Sequence, residues 1–318
     1  MTLHGQLNNA MAFDRGILLV AHGKRSYWDE AATLARSLRR HSPQIPIAIA
    51  SDLDVPESEW RHVGYDLYVP FDFRKCGGVS FKMQLDRITP FRDATLFIDS
   101  DSICYRDISE VFKAFAAADF VTLGTTVTSC HWYEDNAMIQ RQFRCDSFPF
   151  FCGDFYLFRR SATSDAVFNT AREIAADYRA LGIKPLGAWC NDEPAFSLSM
   201  LQHNVPISPG VGDWIIQLVH ENLTDLDLDY VAGHAHAELG GVTITPRLVH
   251  FSTHRSQPLY FRERHRVWNP ATGWWNRFAA HGIGVMGSTR YRLTRRLRVA
   301  TSQWNPLALW KDHRSHAF

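Results

Sequence analysis

Residues 94–103 read Ala-Thr-Leu-Phe-Ile-Asp-Ser-Asp-Ser-Ile, an apolar run that stops abruptly at two carboxylates, Asp99 and Asp101. The run predicts a buried strand, and residues two apart on a strand share one side, so both acids converge at its carboxyl end. In an open α/β sheet, ligands bind at that edge. Two close anions raise each other's pKa unless a cation lies between them, and a hard divalent ion with phosphates is the usual partner. The stretch therefore predicts a metal–diphosphate site.

The acidic pair also has a simpler explanation, because two carboxylates after a strand can cap the next helix or stay solvated in a turn. A metal site of this kind usually needs one more protein ligand. His250 is the best candidate, since it lies near the end of the apolar run 248–251. A histidine in that position can equally satisfy a hydrogen bond within the core.

Strand-like and helix-like segments alternate along the chain. Apolar runs predict strands at 16–21, 45–50, 67–69, 95–98, 120–123, 150–158 and 248–251. Helical spacing of apolar residues predicts helices at 27–40, 79–88, 107–118, 161–181 and 192–203, with a short one near 134–142 inside a loop or lid at 125–147. This alternation predicts an α/β fold with a mixed, mostly parallel sheet flanked by helices and right-handed crossovers.

Length and composition indicate an ordinary globular protein. The chain has 318 residues, of which 46% are hydrophobic and 21% charged, which excludes a disordered chain. Its six cysteines form no Cys-x-x-Cys pair and are too sparse for a disulfide scaffold. No apolar run approaches the ~20 residues that span a bilayer, and residues 1–15 do not resemble a signal peptide. We therefore expect a cytoplasmic protein.

The last part of the chain is basic and aromatic. We predict a main domain at 1–260 and an appendage at 261–318. From His265 to Phe318, nine Lys or Arg residues oppose one acid, Asp312. The appendage also carries five tryptophans: Trp268, Trp274, Trp275, Trp304 and Trp310. Such a tail could lie on the inner face of an anionic membrane, but it could equally pack on the core or pair subunits. No recognised nucleic-acid-binding module is present, so no nucleic acid partner is expected.

Three further carboxylates lie after a predicted strand, within one, or at the start of a predicted helix. Asp192 follows Asn191 at the start of a helix, where it can cap that helix or take part in catalysis. Asp52 follows the second strand and could bind a base or ribose, although capping of a turn explains it as well. Asp154 lies within the predicted strand 150–158 and could point to solvent from a sheet edge.

These motifs, in this order, resemble the metal-dependent family 8 glycosyltransferases, the group of glycogenin and bacterial lipopolysaccharide galactosyltransferases, which have the GT-A fold. The resemblance extends over roughly 235 residues. The matching blocks are Tyr27 after the first strand, Phe81-Lys82-Met83, Leu96-Phe97-Ile98-Asp99-Ser100-Asp101, Phe151-Cys152-Gly153-Asp154-Phe155-Tyr156-Leu157, Asp192-Glu193 and His250-Phe251.

The resemblance implies a role for each matched residue. Tyr27 would stack on the nucleotide base and Lys82 would help to hold the donor. Asp99, Asp101 and His250 would bind Mn²⁺ or Mg²⁺, with Asp99 also close to the nucleotide. The donor implied by the resemblance is a nucleotide-diphosphate sugar, with UDP as the nucleotide.

The chain also departs from the family pattern. Gln257 stands where the family has a lysine that grips the diphosphate, and Arg255 could replace it, because a guanidinium can contact two phosphate oxygens at once. Glu193 stands in place of a glutamine, and Phe151 or Cys152 in place of an asparagine. These changes weaken the match to family 8 more than the match to the GT-A fold.

We therefore predict a glycosyltransferase that moves a sugar from a nucleotide diphosphate to a glycan, lipid-linked or other hydroxyl acceptor, with retention by resemblance. A divalent ion would stabilise the departing diphosphate. Carboxylates would face the oxocarbenium-like carbon, with Asp154, Asp192 and Glu193 as candidates. If transfer inverts, Asp192 or Glu193 would be the general base.

Two other functions stay open on the sequence alone. A non-catalytic scaffold that binds sugar nucleotides could keep the fold and lose turnover, and the altered blocks at Gln257 and Phe151 are compatible with it. A phosphatase of the haloacid dehalogenase type also has an Asp-Xaa-Asp after a strand. That motif usually opens its domain, whereas three predicted strands precede it here.

Overall fold

The computed structural model describes residues 13–76, 78–218, 223–252, 257–271 and 279–289. They form two compact units, one that runs to Ile216 and includes Pro246–His250, and another that comprises Gln217–Thr245 and the chain from Phe251. The predicted boundary between residues 260 and 261 stays a prediction. Trp274, Trp275, Trp304 and Trp310 of the predicted appendage lie outside the described residues.

The elements are numbered in chain order. The strands are β1 Arg15–Ala21, β2 Ile47–Ser51, β3 Leu67–Pro70, β4 Ala94–Ile98, β5 Ser102–Cys104, β6 Phe120–Val121, β7 Gly124–Val127, β8 Phe148–Phe151, β9 Phe155–Arg159, β10 Pro185–Leu186, β11 Trp189–Cys190, β12 Ile215–Gln217, β13 Leu223–Asp229, β14 His234–Leu239, β15 Val242–Ile244 and β16 Leu248–His250. The α-helices are α1 Arg25–His41, α2 Glu57–Val63, α3 Leu85–Ile88, α4 Val111–Ala114, α5 Asn136–Phe143, α6 Ala162–Ala176, α7 Asp192–Gln202 and α8 Pro258–Trp268.

A six-stranded sheet in the order β3-β2-β1-β4-β9-β6 forms the centre of the first unit. The four strands from β3 to β4 are parallel, and β9 runs antiparallel to both of its neighbours. Strands β2 and β4 are buried along their whole length, which is typical of a sheet covered on both faces and explains their continuous apolar sequence. The predicted α/β class with a mixed, mostly parallel sheet is confirmed.

An aromatic cluster fixes helix α7 against the sheet. The ring of Phe196 on α7 lies 4.9 Å from Tyr156, 5.4 Å from Phe120 and 5.3 Å from Phe168. Tilted and edge-to-face rings at such distances attract each other beyond their buried area. The first residues of α7 are consequently held in a defined position relative to β9.

The segment predicted as one helix at 107–118 is helical only in α4. The Asp107 carboxylate accepts a hydrogen bond from the Ser109 amide at 2.9 Å, which makes a local turn in place of a first helical turn. The helix predicted at 79–88 also differs, because Gly78–Gln84 is a 3-10 helix that continues into α3. The consecutive residues Phe81, Lys82 and Met83 of this segment are all buried, so it has no single apolar face of the kind that an amphipathic α-helix buries. Contacts on all sides, and not a helical periodicity in the sequence, therefore determine its 3-10 conformation.

The strand predicted at 150–158 is in fact two strands. β8 pairs with β7, whereas β9 joins the central sheet, and residues 152–154 connect them outside either ladder. The prediction of one continuous strand was wrong because the backbone of this connection bonds to side chains from distant parts of the chain.

The second unit contains a three-stranded antiparallel sheet, β13-β14-β15, that the sequence analysis did not predict. Helix α8 follows it in the chain, and the buried Glu263 of α8 accepts a hydrogen bond from the Tyr230 amide at 3.0 Å. Within the described ranges, none of the helices is both long and apolar enough to cross a bilayer.

The half-buried His41 at the end of α1 gives a pH-dependent contribution to stability. Burial, with the neighbouring charge of Arg40, lowers its pKa from 6.5 to about 4 in the folded protein. Between these two values the unfolded chain binds more protons, so the free energy of unfolding falls as the pH decreases through this window. We expect His41→Gln to reduce this loss, measured by urea unfolding at pH 7.5 and pH 5. His62→Gln, at an exposed histidine, is the control, and an unchanged pH dependence in His41→Gln would contradict the assignment.

Candidate active site

Two acids and a histidine meet at the carboxyl end of β4. Asp99 follows the strand directly, and His250 is the last residue of β16, whose pairing with β5 sets His250 opposite Ser102. The Nε2 atom of His250 lies 2.9 Å from Asp101 Oδ1 and 3.8 Å from Asp99 Oδ2. One ligand atom from each of the three residues lies within 4.8 Å of the others. The structure thus brings the three predicted metal ligands together.

The separations within this cluster suit a divalent ion. With bonds of about 2.1 Å, neighbouring ligands in an octahedral site are about 3 Å apart. The 2.9 Å between His250 Nε2 and Asp101 Oδ1 matches this spacing, and the 3.8 Å to Asp99 Oδ2 is somewhat longer. Carboxylate oxygens with one imidazole nitrogen are a donor set that suits Mn²⁺ and Mg²⁺ better than softer ions. The residues present therefore fit the predicted metal site.

Lys82 lies at the centre of the site and carries its positive charge there. Its Nζ donates to Asp99 Oδ2 at 2.8 Å and to the Gly153 carbonyl at 2.6 Å, and it lies 4.0 Å from Asp192 Oδ2. Burial acts to lower the pKa of Lys82, but the carboxylates of Asp192 and Asp99 outweigh it and raise that pKa above its usual value. Burial also raises the pKa of Asp99, against the opposing effect of Lys82.

Asp192 and Glu193 occupy the start of α7. The Asp192 carboxylate accepts a hydrogen bond from the Tyr156 hydroxyl at 2.7 Å, and Glu193 accepts one from the Gly153 amide at 2.9 Å and one from the Asn191 side chain at 3.0 Å. Burial raises the pKa of Asp192 to about 7, with a further rise from Glu193 and an opposing effect from Lys82. Burial likewise raises the pKa of Glu193. Asp192 can therefore exchange a proton near neutral pH.

The 152–154 segment connects the metal cluster with the acids of α7. The backbone of Gly153 bonds to Glu193 through its amide and to Lys82 through its carbonyl. The carbonyl of Asp154 accepts a hydrogen bond from the Asp99 amide at 3.0 Å. A Cβ atom at Gly153 would lie 2.4 Å from the Asp192 carboxylate, so this close approach requires glycine.

One interpretation of the sequence placed the side chain of Asp154 in solvent, and the structure contradicts it. Its side chain is 5% exposed, and its Oδ2 accepts a hydrogen bond from His250 Nδ1 at 2.9 Å. Burial acts to lower the pKa of His250, but Asp101 and Asp154 outweigh it and raise that pKa well above its usual value. The site thus strongly favours positive charge at this position.

Among the residues that the structure describes, those of the site carry an excess of negative charge. Two cationic or potentially cationic side chains, Lys82 and His250, face five carboxylates. These are Asp99, Asp101, Asp154, Asp192 and Glu193. Buried carboxylates are costly unless they are paired or coordinate a metal, so the excess is a second, independent reason to expect a cation here.

The predicted nucleotide-binding residues follow the neighbouring strands. Tyr27 lies in the first turn of α1, and its ring is 6.1 Å from that of His22, just after β1. Asp52 follows β2 and accepts a hydrogen bond at 2.8 Å from the amide of Gly23, which lies in the loop after β1. Because β1, β2 and β4 are parallel, these residues lie at the same sheet edge as Asp99. Arg255 lies outside the described residues.

Three residues that hold the site together by hydrogen bonds were not predicted from the sequence. Tyr156 looked like an ordinary core aromatic of a strand, and only the fold places its hydroxyl on Asp192. Asn191 looked like a helix cap, although its neighbours Asp192 and Glu193 were a signal. The two backbone bonds of Gly153 had no signal beyond the glycine itself.

Solved glycosyltransferase structures are similar to this one. A crystal structure of an active-site mutant of LgtC has a TM-score of 0.50 at 10% sequence identity, and the match covers 74% of this chain and 86% of that chain. The WbbM bifunctional glycosyltransferase gives a TM-score of 0.48 at 13% identity over 84% of this chain and 51% of that chain. Mouse xyloside xylosyltransferase 1 gives a TM-score of 0.45 at 13% identity, and the match covers 64% of this chain and 88% of that chain. No protein-family profile and no curated protein matches the chain.

At such identities the similarity establishes a fold and not an activity. The match to LgtC, together with the observed sheet, confirms the GT-A fold that the sequence predicted. Membership of family 8 stays a prediction.

Proposed function

We propose that the protein is a metal-dependent glycosyltransferase that moves a sugar from a nucleoside diphosphate to a hydroxyl acceptor. The observation that carries the proposal is the cluster of Asp99, Asp101 and His250 at the ligand-binding edge of a GT-A sheet. Next to it, Lys82 connects the cluster with the buried Asp192 at the start of α7. A diphosphate site beside two acids is what sugar transfer from a nucleotide requires.

The proposed role of each residue follows from its charge. Asp99, Asp101 and His250 would hold Mn²⁺ or Mg²⁺, which when bound supplies Lewis-acid stabilisation of the leaving diphosphate. Lys82 orients Asp99 by its hydrogen bond and adds a fixed positive charge beside the same site. Tyr27, Asp52 and Arg255 are the proposed contacts to the base, ribose and diphosphate.

Asp192 and Glu193 are the groups proposed to face the sugar. Their negative charge stabilises an oxocarbenium-like carbon. In a retaining reaction, which the resemblance favours, the two acids orient the substrates and stabilise that charge. In an inverting reaction, Asp192 would accept the proton of the acceptor hydroxyl at its Oδ atoms, because burial brings its pKa to about 7.

The finer features of the proposal come from the resemblance. UDP is the proposed nucleotide, and a glycan or lipid-linked hydroxyl is the proposed acceptor. A cytoplasmic location and contact of the basic tail with the inner face of a membrane are part of the same proposal.

The test is a screen of nucleoside diphosphates with and without Mn²⁺, followed by an assay of nucleotide-sugar hydrolysis. A ligand at a hundred times its Kd stabilises the native state by about 2.7 kcal/mol, so we expect the melting temperature to rise by about 5 °C with one nucleotide and Mn²⁺ together. Metal-dependent release of that nucleoside diphosphate from its sugar should follow. Binding without release would support the non-catalytic scaffold, and release of phosphate from simple phosphomonoesters would support the phosphatase.

A further inference from the structure

The imidazole of His250 lies between two carboxylates. Its Nε2 is 2.9 Å from Asp101 Oδ1, and its Nδ1 is 2.9 Å from Asp154 Oδ2. All three residues are buried. The two ring nitrogens point to opposite sides of the ring, so Asp154 lies behind the imidazole and is not a member of the candidate metal cluster.

The contact with Asp154 determines where the ring carries its proton. A carboxylate only accepts hydrogen bonds, so Nδ1 donates to Asp154, and in the absence of a metal Nε2 donates in the same way to Asp101. A cation bound between Asp99 and Asp101 would replace the proton on Nε2, whereas the contact with Asp154 keeps the proton on Nδ1 and leaves the lone pair on Nε2 for the metal. A metal ligand needs that lone pair, and a carboxylate behind the ring also raises its basicity.

We propose that Asp154 is a positioning residue, which holds the His250 ring in the orientation and tautomer that present Nε2 to the divalent cation. The inference rests on the proposed metal-dependent function and gives Asp154 a role different from the sugar-facing one predicted from the sequence. Asp154 acts through His250 and does not touch the substrate or the metal.

Both partners of this contact are fixed by strands. The Asp154 carbonyl accepts a hydrogen bond from the Asp99 amide, and the next residue, Phe155, pairs with Ile98 of β4. His250 pairs with Ser102 of β5. A ring held from behind by a carboxylate directly before one strand, and by its own backbone on another strand, has little freedom to turn its Nε2 away.

The variant Asp154→Asn tests the proposal with almost no change of shape. An amide can either donate to Nδ1 or accept from it, so the variant no longer selects the tautomer that binds a metal. We expect its affinity for Mn²⁺ alone, measured by isothermal titration calorimetry without nucleotide, to fall about 10- to 100-fold. The melting temperature in EDTA shows whether the variant is folded.

A double-mutant cycle separates positioning from a general effect of charge. If Asp154 acts through the ring, adding Asp154→Asn to His250→Ala should not weaken Mn²⁺ binding beyond His250→Ala alone. Glu193→Gln is the matched control, because it removes one negative charge from the same site through a carboxylate that bonds to Gly153 and Asn191. We expect its effect on Mn²⁺ affinity to be smaller than that of Asp154→Asn.

The protonation of the His250 ring can also be measured directly in the wild-type protein. The ¹⁵N shifts of His250 in the Mg²⁺ complex should report a protonated Nδ1 and an unprotonated Nε2, and an unprotonated Nδ1 would overturn the proposal. Unchanged Mn²⁺ affinity in Asp154→Asn, or an equal loss in the His250→Ala background, would also overturn it while leaving the proposed function intact. Failure of the wild-type protein to bind Mn²⁺ would instead overturn the proposed metal-dependent function, and with it this inference.

Discussion

Asp101→Asn should lower metal-dependent release of the nucleoside diphosphate by about 100- to 1,000-fold. The variant keeps the shape of the side chain but replaces a charged oxygen ligand, 2.9 Å from His250 Nε2, with a neutral amide. Loss of one ligand removes several kcal/mol of stabilisation from the charge that develops on the leaving group. The measurement is the initial rate of nucleotide release from a UDP-sugar at saturating Mn²⁺.

The matched control is Asp165→Asn, an exposed aspartate in the first turn of α6, for which we expect a wild-type rate. Calorimetry with Mn²⁺ adds a readout that does not depend on the choice of sugar. Wild-type rates together with wild-type Mn²⁺ affinity in Asp101→Asn would remove this residue from the site.

Lys82→Met should destabilise the metal-free protein by about 3 kcal/mol or more. Methionine has a similar length, but it leaves the carboxylates of Asp99 and Asp192 without the cation that lies between them. Removing one partner from a buried ion pair is far more costly than the net value of the pair, because the remaining charge is buried without compensation. Urea unfolding in EDTA measures the loss.

Mn²⁺ should return part of that stability, because a bound cation compensates the same carboxylates. The rise in melting temperature on adding Mn²⁺ should therefore be larger in Lys82→Met than in the wild type. Lys113→Met, at an exposed lysine of α4, is the control for loss of a positive charge. An unchanged free energy of unfolding in Lys82→Met would show that Lys82 does not compensate these acids.

The sequence predicted the parts of the site that a local pattern encodes. Asp99 and Asp101 follow an apolar strand that is buried on both faces, and this pattern defines both the strand and its edge. His250 ends another apolar run. What the sequence could not predict is that β16 pairs with β5, since this register joins segments about 150 residues apart and leaves no local signal.

The connection at 152–154 illustrates the same limit. Its neighbours are mostly aromatic or apolar, so the pattern predicts an uninterrupted strand. The strand ends there because Gly153 bonds to Lys82 and Glu193, which are 71 and 40 residues away in the chain. Hydrogen bonds of this kind follow from tertiary structure and override local propensity.

The antiparallel sheet of the second unit was missed for a different reason. Strand β13 reads Leu-Thr-Asp-Leu-Asp-Leu-Asp, and aspartate is disfavoured in strands. The available signal was the pair Gly240-Gly241, whose φ angles of 59° and 80° suit the tight turn between β14 and β15. Helix α8 had a similar signal in Pro258, its first residue.

The two bonds of the Gly153 peptide units set a limit on how this protein can be redesigned. A replacement of Glu193, made to change the acceptor, would remove the hydrogen-bond partner of the Gly153 amide. The carbonyl of Gly153 in turn accepts a hydrogen bond from Lys82. Under the proposed function, a change of acceptor preference through Glu193 would therefore be coupled to the position of Lys82. Libraries that vary the start of α7 should sample residues 152–154 at the same time.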